Sequence, residues 1–582
     1  MAGPTGQTPA MADRAEVEAQ LLGPGGMFEV VTGTVGGVAM KVYKDRLPSL
    51  RSVFELGTAR GDDQTFLVHG EQRLGYATFA QLANGVSQRL AADAGIGHGD
   101  RVAVLSANNP QWCLAFWGTV DLGAVLVGLN GWWKADEILY GLADSGAKVL
   151  VADRGRIARI ADRLGELTDL EVIYLIDADP AEIGDDPRLR RFDELTVAPT
   201  TEAPTAAIAE EDPAVIFYTS GTTGRPKGAI STHGSMIANL QNTMFNAVAG
   251  AMSGGGGVMP TGDGPPPASL LTSPLFHVSG CHSGLGVGLL AGLKLVIPAG
   301  RFEPEVAMRL IQEEGITVWA TVPTMIWRVV EHPARGDYDL TSVASVAYGG
   351  SPSAGELQRR IQETFPNVTT LGNAYGLTES SSVATVISGQ DALDRPTSVG
   401  KPMPVVDLRV VGGHGADVAP GETGEIWIRG PIIMPGYWGK PEATAETITD
   451  GWLHSGDLGY VDADGFLYIT DRAKDMLIRG GENVYCVEIE NRLLEHPAVA
   501  DAAIVGVAHP TLGEEVKAVV QVEPGETVTE DEIRSWVAET LANFKVPAYV
   551  ELTDEKLPRN ASGKLLKNVL RGEGEVSFAE TM

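Results

Sequence analysis

Cysteine is scarce in this chain. Only three cysteines occur among 582 residues, and Cys113, Cys281 and Cys486 lie far apart in the sequence. This spacing excludes a disulfide framework and a cysteine-rich metal site, and it is typical of proteins from a reducing compartment. We therefore expect each cysteine to be a small, buried, apolar side chain.

Positive charge is also scarce. Lys and Arg number 44 against 75 Asp and Glu, which gives a formal net charge of −31. Because the average field of such a chain repels polyphosphate backbones, the composition argues against a nucleic-acid partner and against an anionic membrane surface. An anionic ligand would have to be held by local basic side chains and backbone N–H groups.

Long apolar runs are missing as well. The most apolar long stretch, residues 113–133, contains Asp121 and several glycines, whereas a membrane span needs about 20 apolar residues in a row. The N-terminal residues lack the basic segment followed by an apolar core that marks a secretory signal. We therefore expect a cytoplasmic protein without an integral membrane segment.

The order of apolar segments predicts an α/β fold. A chain of 582 residues exceeds what one hydrophobic core usually supports, so we expect at least two domains. The segments 101–105 and 148–152 have the pattern of strands, and 111–123 between them has that of a helix. The same alternation recurs in the predicted strands and helices 293–297, 304–314, 316–320, 343–347, 353–364 and 368–371. It predicts parallel βαβ units with helices on both faces of the sheets.

The pattern changes along the chain. After about residue 400, short strands separated by turn residues predict a β-rich subdomain, and the last hundred residues return to mixed α and β. Residues 1–50 are rich in glycine and weakly patterned, and we interpret them as an extension of the large N-terminal domain.

The sharpest motif is a run of hydroxyl side chains and glycines at 218–228, directly after the apolar strand 214–218. Backbone N–H groups, hydroxyls and one cation packed this densely are suited to phosphate oxygens. The run is not a Walker A loop, because Lys227 follows Pro226 and precedes Gly228.

With this motif the chain resembles the adenylate-forming acyl-CoA synthetases, relatives of firefly luciferase and of peptide-synthetase adenylation domains. The resemblance covers roughly residues 50–570, and the motifs appear in the family's order. It implies that the loop binds the β- and γ-phosphates of ATP through Thr219, Ser220, Gly221, Thr222, Thr223, Gly224 and Lys227. Thr222 would also contact the metal and take part in catalysis.

A second motif, 373–379, matches the family's adenine and magnesium segment. The resemblance implies that Tyr375 stacks near adenine, Thr378 contacts the α-phosphate and Glu379 binds Mg²⁺. A carboxylate among neutral neighbours is an apt ligand for a hard cation, although a solvated acid at a helix start would look the same. The other positions assigned to the ATP site are Asn373, Ala374, Gly376, Gly350, Ser351 and Pro352.

A third block implies the ribose site and the domain boundary. By the match, Asp457 and Arg472 contact the ribose, Ile469 lies beside the nucleotide, and Lys474 is the hinge. An ordinary turn residue remains the alternative for Asp457. The expected domains are an AMP-binding domain, 1–473, and a small mobile α+β domain, 474–582.

The small domain carries two further matches. Gly480, Gly481 and Glu482 resemble the loop that lines the pantetheine channel of CoA, where glycine allows close backbone approach. Lys564 matches the catalytic lysine that bridges the substrate carboxylate and the α-phosphate. A flexible lysine on a turn is a movable cation, suited to charge that develops only in the transition state.

The acyl pocket decides the substrate. The resemblance assigns it to His277, Cys281, Gly349 and Gly350, with His277 near the reacting carboxylate, and a hydrogen-bonded core histidine is the alternative for His277. Gly280, Gly284, Gly286 and Gly288 add little bulk, which predicts an open tunnel. We therefore expect a medium- or long-chain fatty acid, activated with Mg²⁺, ATP and CoA.

Several alternatives remain open at this stage. The acid could be a steroid side-chain acid or an aryl acid, and a luciferase-like enzyme that does not use CoA would share the nucleotide motifs. The expected partners are the acid, ATP and CoA, with a homodimer as an option.

Overall fold

The structure, a computed structural model, describes residues 13–219, 225–254, 266–349, 355–413, 415–480, 482–560 and 564–572. Two large sheets form the core of its N-terminal part, and a hydrophobic cluster that includes Trp112, Phe116 and Trp117 lies between elements of both. Both sheets have parallel central strands, and antiparallel pairs occur at one edge of the first sheet and at both edges of the second, which confirms the predicted α/β class.

The first sheet has seven strands. In spatial order they are Lys227–Thr232, Pro213–Thr219, Val125–Gly128, Arg101–Leu105, Val149–Asp153, Val172–Ile176 and Leu189–Arg191. The second sheet has nine. In spatial order they are Lys401–Pro402, Thr385–Ser388, Thr370–Tyr375, Ser345–Gly349, Val318–Thr321, Ala268–Leu270, Lys294–Val296, Thr65–His69 and Gln72–Gly75.

Helices cover the faces of these sheets. The α-helices of the N-terminal part are Arg14–Leu22, Leu50–Thr58, Tyr76–Ala94, Pro110–Val120, Ala135–Ser145, Arg154–Ile157, Pro180–Ile183, Asp193–Thr196, His233–Met252, Val278–Gly280, Val287–Ala291, Pro304–Glu314, Pro323–Val330, Gly355–Thr364, Gln390–Asp394 and Pro441–Thr447. Short 3₁₀ segments are Ala161–Glu166, Pro333–Asp337 and Thr378–Ser380, and Cys281–Gly286 is a π-helix.

Local residue chemistry accounts for where these helices begin. The helix Pro110–Val120 begins with proline in its first turn, and the Asn109 side chain accepts a hydrogen bond from the Trp112 N–H. It ends at Val120, three residues before the predicted end, because the chain turns at Gly123, whose φ is +69°.

Three predicted strands begin two residues late in the structure, and one of them, Thr370–Tyr375, was expected at 368–371. Val318–Thr321 and Ser345–Gly349 were expected at 316–320 and 343–347. Ile316 and Val343 are fully buried in the segments that lead into these strands. An apolar pattern cannot separate a buried lead-in residue from the first residue of a strand.

Beyond residue 400 the chain forms two smaller sheets. The β-rich subdomain contains Asp407–Val411, Gly424–Arg429, Ile448–Thr449, Trp452–Val461 and Leu467–Arg472. The C-terminal sheet contains Leu477–Arg479, Glu482–Val484, Val499–His509, Gly513–Val522 and Tyr549–Thr553. The helical segments here are Cys486–Leu494, Glu530–Ala538, Asn543–Lys545 and Lys567–Leu570.

The N-terminal segment is folded against the rest of the protein from residue 14 onward. Its helix is followed by the hairpin Val30–Val35 and Val38–Tyr43. The Tyr43 hydroxyl donates to Asn242 Oδ1 at 2.8 Å on the long helix His233–Met252, and Lys41 pairs with Asp407 of the β-rich subdomain at 2.9 Å. The hairpin therefore ties these two units together, a role that the weak sequence pattern did not indicate.

None of the helices in the described part of the chain combines the length and the apolarity that a membrane crossing requires.

The Tyr43 contact predicts a loss of stability on mutation. Both side chains are buried, so Tyr43→Phe leaves the Asn242 amide oxygen without its donor, and we expect a cost of about 1–3 kcal/mol. Thermal unfolding of the purified protein would show a lower midpoint.

Tyr549→Phe is the matched control, because this tyrosine is 51% exposed and its hydroxyl can bond to water. Equal midpoints for the two variants would contradict the buried hydrogen bond.

Candidate active site

Two antiparallel strands, Pro213–Thr219 and Lys227–Thr232, bring the two ends of the hydroxyl-rich loop together. Thr219 and Lys227 are directly opposed in antiparallel register, and the Thr219 hydroxyl donates to the Lys227 carbonyl at 3.4 Å. The Lys227 ammonium lies 5.1 Å from the centroid of the Tyr437 ring. The predicted loop residues Ser220, Gly221, Thr222, Thr223 and Gly224 lie outside the described residues.

Glu379 is held beside this hairpin. The Tyr437 hydroxyl donates to Glu379 Oε1 at 2.8 Å, and the Met434 N–H donates to the Glu379 carbonyl at 2.9 Å. Tyr437 therefore contacts both Lys227 and Glu379. Sequence reasoning missed this tyrosine, because nothing in the spacing of residues 431–440 links it to the other motifs.

The turn after Thr378 is tightly constrained. A Cβ on Gly376 would come within 1.5 Å of the Ser382 carbonyl oxygen, so only glycine fits there. Ser381 and Ser382 have φ values of +49° and +108°, which are uncommon for residues with side chains. Such backbone strain is concentrated at functional sites, and it persists only where surrounding contacts impose it.

A second group of polar side chains joins the two motifs at 375 and 457. The Tyr375 hydroxyl donates to Asp457 Oδ2 at 2.8 Å, and Arg472 Nε donates to Asp457 Oδ1 at 3.0 Å. Asp457 and Arg472 face each other across neighbouring strands, which explains the short ion pair. Tyr375 is only 9% exposed. The Tyr375 hydroxyl therefore binds Asp457, whichever group the Tyr375 ring contacts.

The remaining predicted nucleotide positions have structural contacts. Asn373 is buried and donates to the Ser398 carbonyl at 3.1 Å, and a Cβ on Gly349 would meet the Ala374 carbonyl oxygen at 2.4 Å. Ile469 pairs with Gly459 in the β-rich sheet. Gly350, Ser351 and Pro352 lie outside the described residues.

Lys564 reaches this group from the other end of the chain. Its N–H donates to Asn560 Oδ1 at 2.9 Å and its carbonyl accepts from the Asn560 N–H at 2.8 Å, which forms a tight turn. Burial, followed by the nearby Arg472, lowers the pKa of Lys564 to about 8, and Asp457 and Glu379 partly offset this effect. The charges of four side chains, Arg472, Asp457, Glu379 and Lys474, therefore act on this one amine.

His277 lies within electrostatic range of Lys564. Burial lowers the pKa of His277 to about 4, and the charge of Lys564 adds to this effect. The ring caps the short helix Val278–Gly280, since its Nδ1 accepts from the Ser279 N–H at 3.4 Å. The structure thus places His277, Glu379, Asp457, Arg472 and Lys564 in one electrostatically connected group, and the roles that the resemblance assigns to them stay predictions.

The predicted CoA loop does not join this cluster. Gly480, with φ of +59°, makes the turn between Leu477–Arg479 and Glu482–Val484, and its N–H donates to the Leu512 carbonyl at 2.8 Å. Glu482 is exposed, and Gly481 lies outside the described residues. No hydrogen bond or ion pair recorded among the described residues links this turn to Lys564.

The glycines of the predicted acyl tunnel are close-packed, so the argument for an open tunnel was wrong. A Cβ on Gly280 would lie 2.1 Å from the Pro274 carbonyl oxygen, and Cβ atoms on Gly284 and Gly288 would lie 2.5 and 2.6 Å from leucine side chains. Cys281 is fully buried in the hydrophobic core. Because the glycines have no side chains, the π-helix Cys281–Gly286 can pack tightly against its neighbours.

A large cavity is lined in part by Phe276, the residue that precedes His277. It has a volume of about 690 Å³ and combines aromatic with basic walls. The residues relevant to ligand chemistry are Trp132, Lys134, Arg156, Arg159, Phe276 and Arg301. The neighbouring guanidinium groups of Arg156 and Arg301 lower the pKa of Arg159, after the larger effect of burial. No sequence motif indicates that these three arginines converge, because Arg301 lies over 140 residues from the other two.

Magnesium would have to share its ligands with the nucleotide. No group of three or more His, Cys, Asp or Glu side chains suited to a metal occurs in the part of the chain that the structure describes. The Glu379 carboxylate has about four lone-pair sites, of which Tyr437 uses one. The site therefore fits Mg²⁺ that arrives with phosphate oxygens.

The α/β core, the hydroxyl-rich hairpin and the charged cluster around Lys564 define an adenylate-forming enzyme. The sequence matches the AMP-binding enzyme family over residues 54–438 and the AMP-binding enzyme C-terminal domain over 488–564. The chain therefore belongs to this family, within its acyl-CoA synthetases, and it is an ATP-dependent, AMP-forming acid–thiol ligase.

Individual relatives agree over nearly the whole length. A feruloyl-CoA synthase of Amycolatopsis sp is 35% identical, with 87% of this chain and 95% of that protein covered. A 3-[(3aS,4S,7aS)-7a-methyl-1,5-dioxo-octahydro-1H-inden-4-yl]propanoyl:CoA ligase of Rhodococcus jostii is 36% identical, with 88% and 95% covered. Among solved structures, an anthranilate CoA ligase in complex with anthranoyl-AMP has a TM-score of 0.82 at 27% identity, with 90% and 96% covered.

The lowered pKa of Lys564 predicts a pH limit for adenylation. The amine is protonated below about pH 8 and neutral above it, so a step that needs the cation slows as pH rises through this value, by up to tenfold per pH unit. Pyrophosphate release in the absence of CoA, measured from pH 7 to 10, would show this decline.

Lys564→Arg provides the control, because a guanidinium stays charged over this range. If the arginine variant declines with the same midpoint, the titration belongs to another group.

Proposed function

We propose that this protein converts an apolar carboxylic acid into its CoA thioester through an enzyme-bound acyl-adenylate, with release of pyrophosphate and AMP. The observation that carries the proposal is the position of Lys564. The charges of Arg472, Asp457 and Glu379 act on its amine, and the charge of that amine in turn acts on the imidazole of His277. A nucleotide and a carboxylic acid would meet at that point.

The nucleotide would be held from two sides. Asp457 has lone pairs left for the ribose hydroxyls, and Arg472 beside it keeps the carboxylate in position. Tyr375 orients Asp457, and Thr378 would contact the α-phosphate. Residues 219–224 and Lys227 would hold the β- and γ-phosphates, and Mg²⁺, bound by Glu379 with Thr222, would neutralise part of their charge.

The first half-reaction needs no nucleophile from the protein. A carboxylate oxygen attacks the α-phosphorus, a phosphorus–oxygen bond forms, and the bond to pyrophosphate breaks. Lys564 stabilises the negative charge that both reacting oxygens share in the transition state. The neutral His277 places no second positive charge on the carboxylate and helps to orient it.

The second half-reaction transfers the acyl group to CoA. The thiol, after loss of its proton, attacks the acyl carbon, and AMP leaves with the electron pair of the broken carbon–oxygen bond. Lys564 and Gly480 both lie beyond Lys474, and no hydrogen bond or ion pair recorded among the described residues links the turn at Gly480 to Lys564. A rotation about Lys474 would bring the turn into place for this step.

The 690 Å³ cavity supports CoA as the acceptor. In a chain of net charge −31, a cavity lined by Arg156, Arg159 and Arg301 is unusual and suits a phosphorylated ligand. Trp132 offers an aromatic face, and Phe276 precedes His277, so the cavity adjoins the reaction site. Phosphates of CoA would bind here.

The acid itself is an apolar one. The relatives described above are named for a hydroxycinnamate-type acid and a fused-ring propanoate, and the solved structure holds an aryl adenylate. These names favour a ring-bearing acid. The fatty acid expected from the sequence stays a prediction, and its main argument, the open tunnel, no longer supports it. The homodimer also stays a prediction.

Removing the Lys564 amine should separate the two half-reactions. We expect Lys564→Ala to slow adenylation by on the order of 10²–10³, the usual loss for one transition-state donor. Reaction of preformed acyl-adenylate with CoA should stay nearly unchanged. Pyrophosphate release measures the first step, and mass spectrometry of the thioester measures the second.

Lys556→Ala is the matched control on the same domain, since this lysine is exposed and has no role assigned to it in the reaction. An equal loss in both half-reactions of Lys564→Ala would refute the assigned role. AMP formed from ATP and acid without any thioester would instead indicate an adenylate-forming enzyme that does not use CoA.

The basic cavity predicts a separate effect on CoA. Arg301→Ala removes a cation from the cavity rim, so the KM for CoA should rise about tenfold, the usual scale for one charged hydrogen bond. The rate of pyrophosphate release without CoA should not change. Steady-state kinetics with varied CoA would measure this.

Arg309→Ala is the control, because this arginine lies on the helix Pro304–Glu314 near Arg301 but does not line the cavity. If both variants leave the KM for CoA unchanged, the CoA phosphates bind elsewhere.

A further inference from the structure

One buried carboxylate outside the reaction site has three donors around it, two of them from distant parts of the chain. Asp144 lies on the helix Ala135–Ser145, and its side chain is only 7% exposed. The Tyr218 hydroxyl donates to Asp144 Oδ2 at 3.0 Å, and the Tyr140 hydroxyl lies 3.2 Å from Oδ1. The Lys440 ammonium forms an ion pair with the same Oδ1. Each of the three donors leads to a segment that carries a residue of the candidate active site.

Tyr218 connects Asp144 to the strands that flank the hydroxyl-rich loop. It is the last residue but one of Pro213–Thr219, the strand that leads into the loop, and it is paired with Gly228 on the strand that leaves it. Its ring packs edge-on against Trp133, with centroids 5.5 Å apart. Burial, followed by the nearby carboxylate of Asp144, raises the pKa of Tyr218, so its hydroxyl keeps the proton that it donates.

Tyr140 contacts the other end of the same loop. Its hydroxyl lies 3.1 Å from the Pro226 carbonyl oxygen as well as 3.2 Å from Asp144 Oδ1. A carbonyl and a carboxylate oxygen both only accept, so the single proton of the hydroxyl is shared between them. The Arg225 guanidinium lies 5.1 Å from the centroid of the Tyr140 ring. Tyr140 therefore restrains the peptide directly before Lys227.

Lys440 belongs to the segment that holds Glu379. Residues 436–440 run beside the edge strand Lys227–Thr232, and two main-chain hydrogen bonds of 2.7 and 3.2 Å join them to it. Tyr437, in the same segment, donates its hydroxyl proton to Glu379. The hydrogen bond to the buried carboxylate raises the pKa of Lys440, so its amine stays charged. The ion pair therefore fixes this segment against the helix that carries the carboxylate.

The contacts of Asp144 converge on two residues with complementary tasks. In the proposed function, Lys227 binds phosphate oxygens of ATP, and Glu379 binds the Mg²⁺ that accompanies them. One ligand meets both groups at full strength only if their separation is set in advance, because ordering them at each binding event would cost affinity. A buried ion pair adds little net stability compared with apolar packing, so its contribution here would be the geometry that it imposes.

We propose that Asp144 is a positioning residue for Mg-ATP, which sets the separation of Lys227 and Glu379 without touching the nucleotide. This inference rests on the proposed function, since it takes those two groups as the ones that meet the phosphates and the metal. No hydrogen bond or ion pair recorded among the described residues joins Asp144 to Asp457 or Arg472, which would hold the ribose. The nucleoside part of the ligand should therefore bind independently of Asp144.

A comparison of two nucleotides tests this directly. Mg-ATP and AMP share the adenine, the ribose and the α-phosphate, and they differ in the metal and the two outer phosphates. Asp144→Ala should raise the Kd for Mg-ATP about tenfold, the usual scale for one hydrogen bond to a charged group, and leave the Kd for AMP nearly unchanged. Isothermal titration calorimetry of the full chain, without acid or CoA, measures both constants. A general loosening of the fold would weaken both nucleotides alike.

Milder variants test the separate links, and they fold even if the alanine variant does not. Asp144→Asn keeps the shape and one acceptor oxygen, so its loss should be smaller than that of alanine. Tyr140→Phe removes only a hydroxyl, and Lys440→Met keeps the apolar stem without the ammonium. Each should raise the Kd for Mg-ATP by several-fold and not that for AMP. Wild-type constants in all of these variants would overturn the inference.

Asp121→Asn is the matched control. Asp121 is also a buried carboxylate, with its side chain 2% exposed, and it forms an ion pair with Arg51 at 2.9 Å. Its substitution should lower the midpoint of thermal unfolding and leave the ratio of the two nucleotide constants unchanged. An equal change of that ratio in Asp121→Asn and Asp144→Asn would show that the loss of any buried carboxylate has this effect, which contradicts a specific role of Asp144.

Thioester formation by the wild-type protein tests the proposed function separately. If the wild-type protein forms a thioester and the Asp144 variants keep its ratio of constants, only the positioning role is overturned. A wild-type protein that binds Mg-ATP no more tightly than AMP overturns it as well, because the positioned groups would then contribute nothing. If no acid yields a thioester but the ratio falls as expected, the ligase function is overturned and the positioning role at Mg-ATP is supported.

Discussion

The site depends on one electrostatic arrangement, the placement of the Lys564 amine among two carboxylates and another cation. Asp457 and Glu379 attract it, while Arg472 and partial burial disfavour its charge, so its pKa falls to about 8. Because this pKa is close to neutral pH, negative charge that a ligand adds nearby would strongly stabilise the protonated form of Lys564. The arrangement therefore suits a ligand that brings anionic oxygens, and the rest of the site serves to hold its members in place.

The hydroxyl groups of two tyrosines position the two carboxylates. Tyr375 bonds to Asp457 and Tyr437 bonds to Glu379, each at 2.8 Å. Each phenol donates its only proton to a carboxylate oxygen, which fixes the rotamer of that carboxylate and leaves other lone pairs for a ligand. The strained turn at Ser381 and Ser382 follows Glu379 directly, and the Ser381 carbonyl oxygen lies 3.2 Å from His282 Nδ1, so the same backbone segment contacts the π-helix Cys281–Gly286.

Much of the fold was predictable because its signals are local. Alternation of short apolar strands with amphipathic helices predicted the parallel sheets, and the helix 304–314 was predicted with its exact bounds. The motif residues that meet around Lys564 were also predicted, although only through the family resemblance. The N-terminal hairpin was not, because its stability comes from partners such as Asn242 and Asp407, nearly 200 residues and more away.

Taken alone, the sequence determined the class of fold and the identity of the charged groups, since these follow from local periodicity and from short motifs. Tertiary structure alone decided what surrounds them. The glycines in 280–288 predicted an open acyl tunnel, but neighbouring atoms fill the space beside them. Arg301 lines the same cavity as Arg156 and Arg159 only because of the chain topology. The contact of His282 Nδ1 likewise depends on a distant residue, since its partner, the Ser381 carbonyl oxygen, lies 99 residues away in the sequence. Contacts between distant segments determine these properties, and no local pattern encodes them.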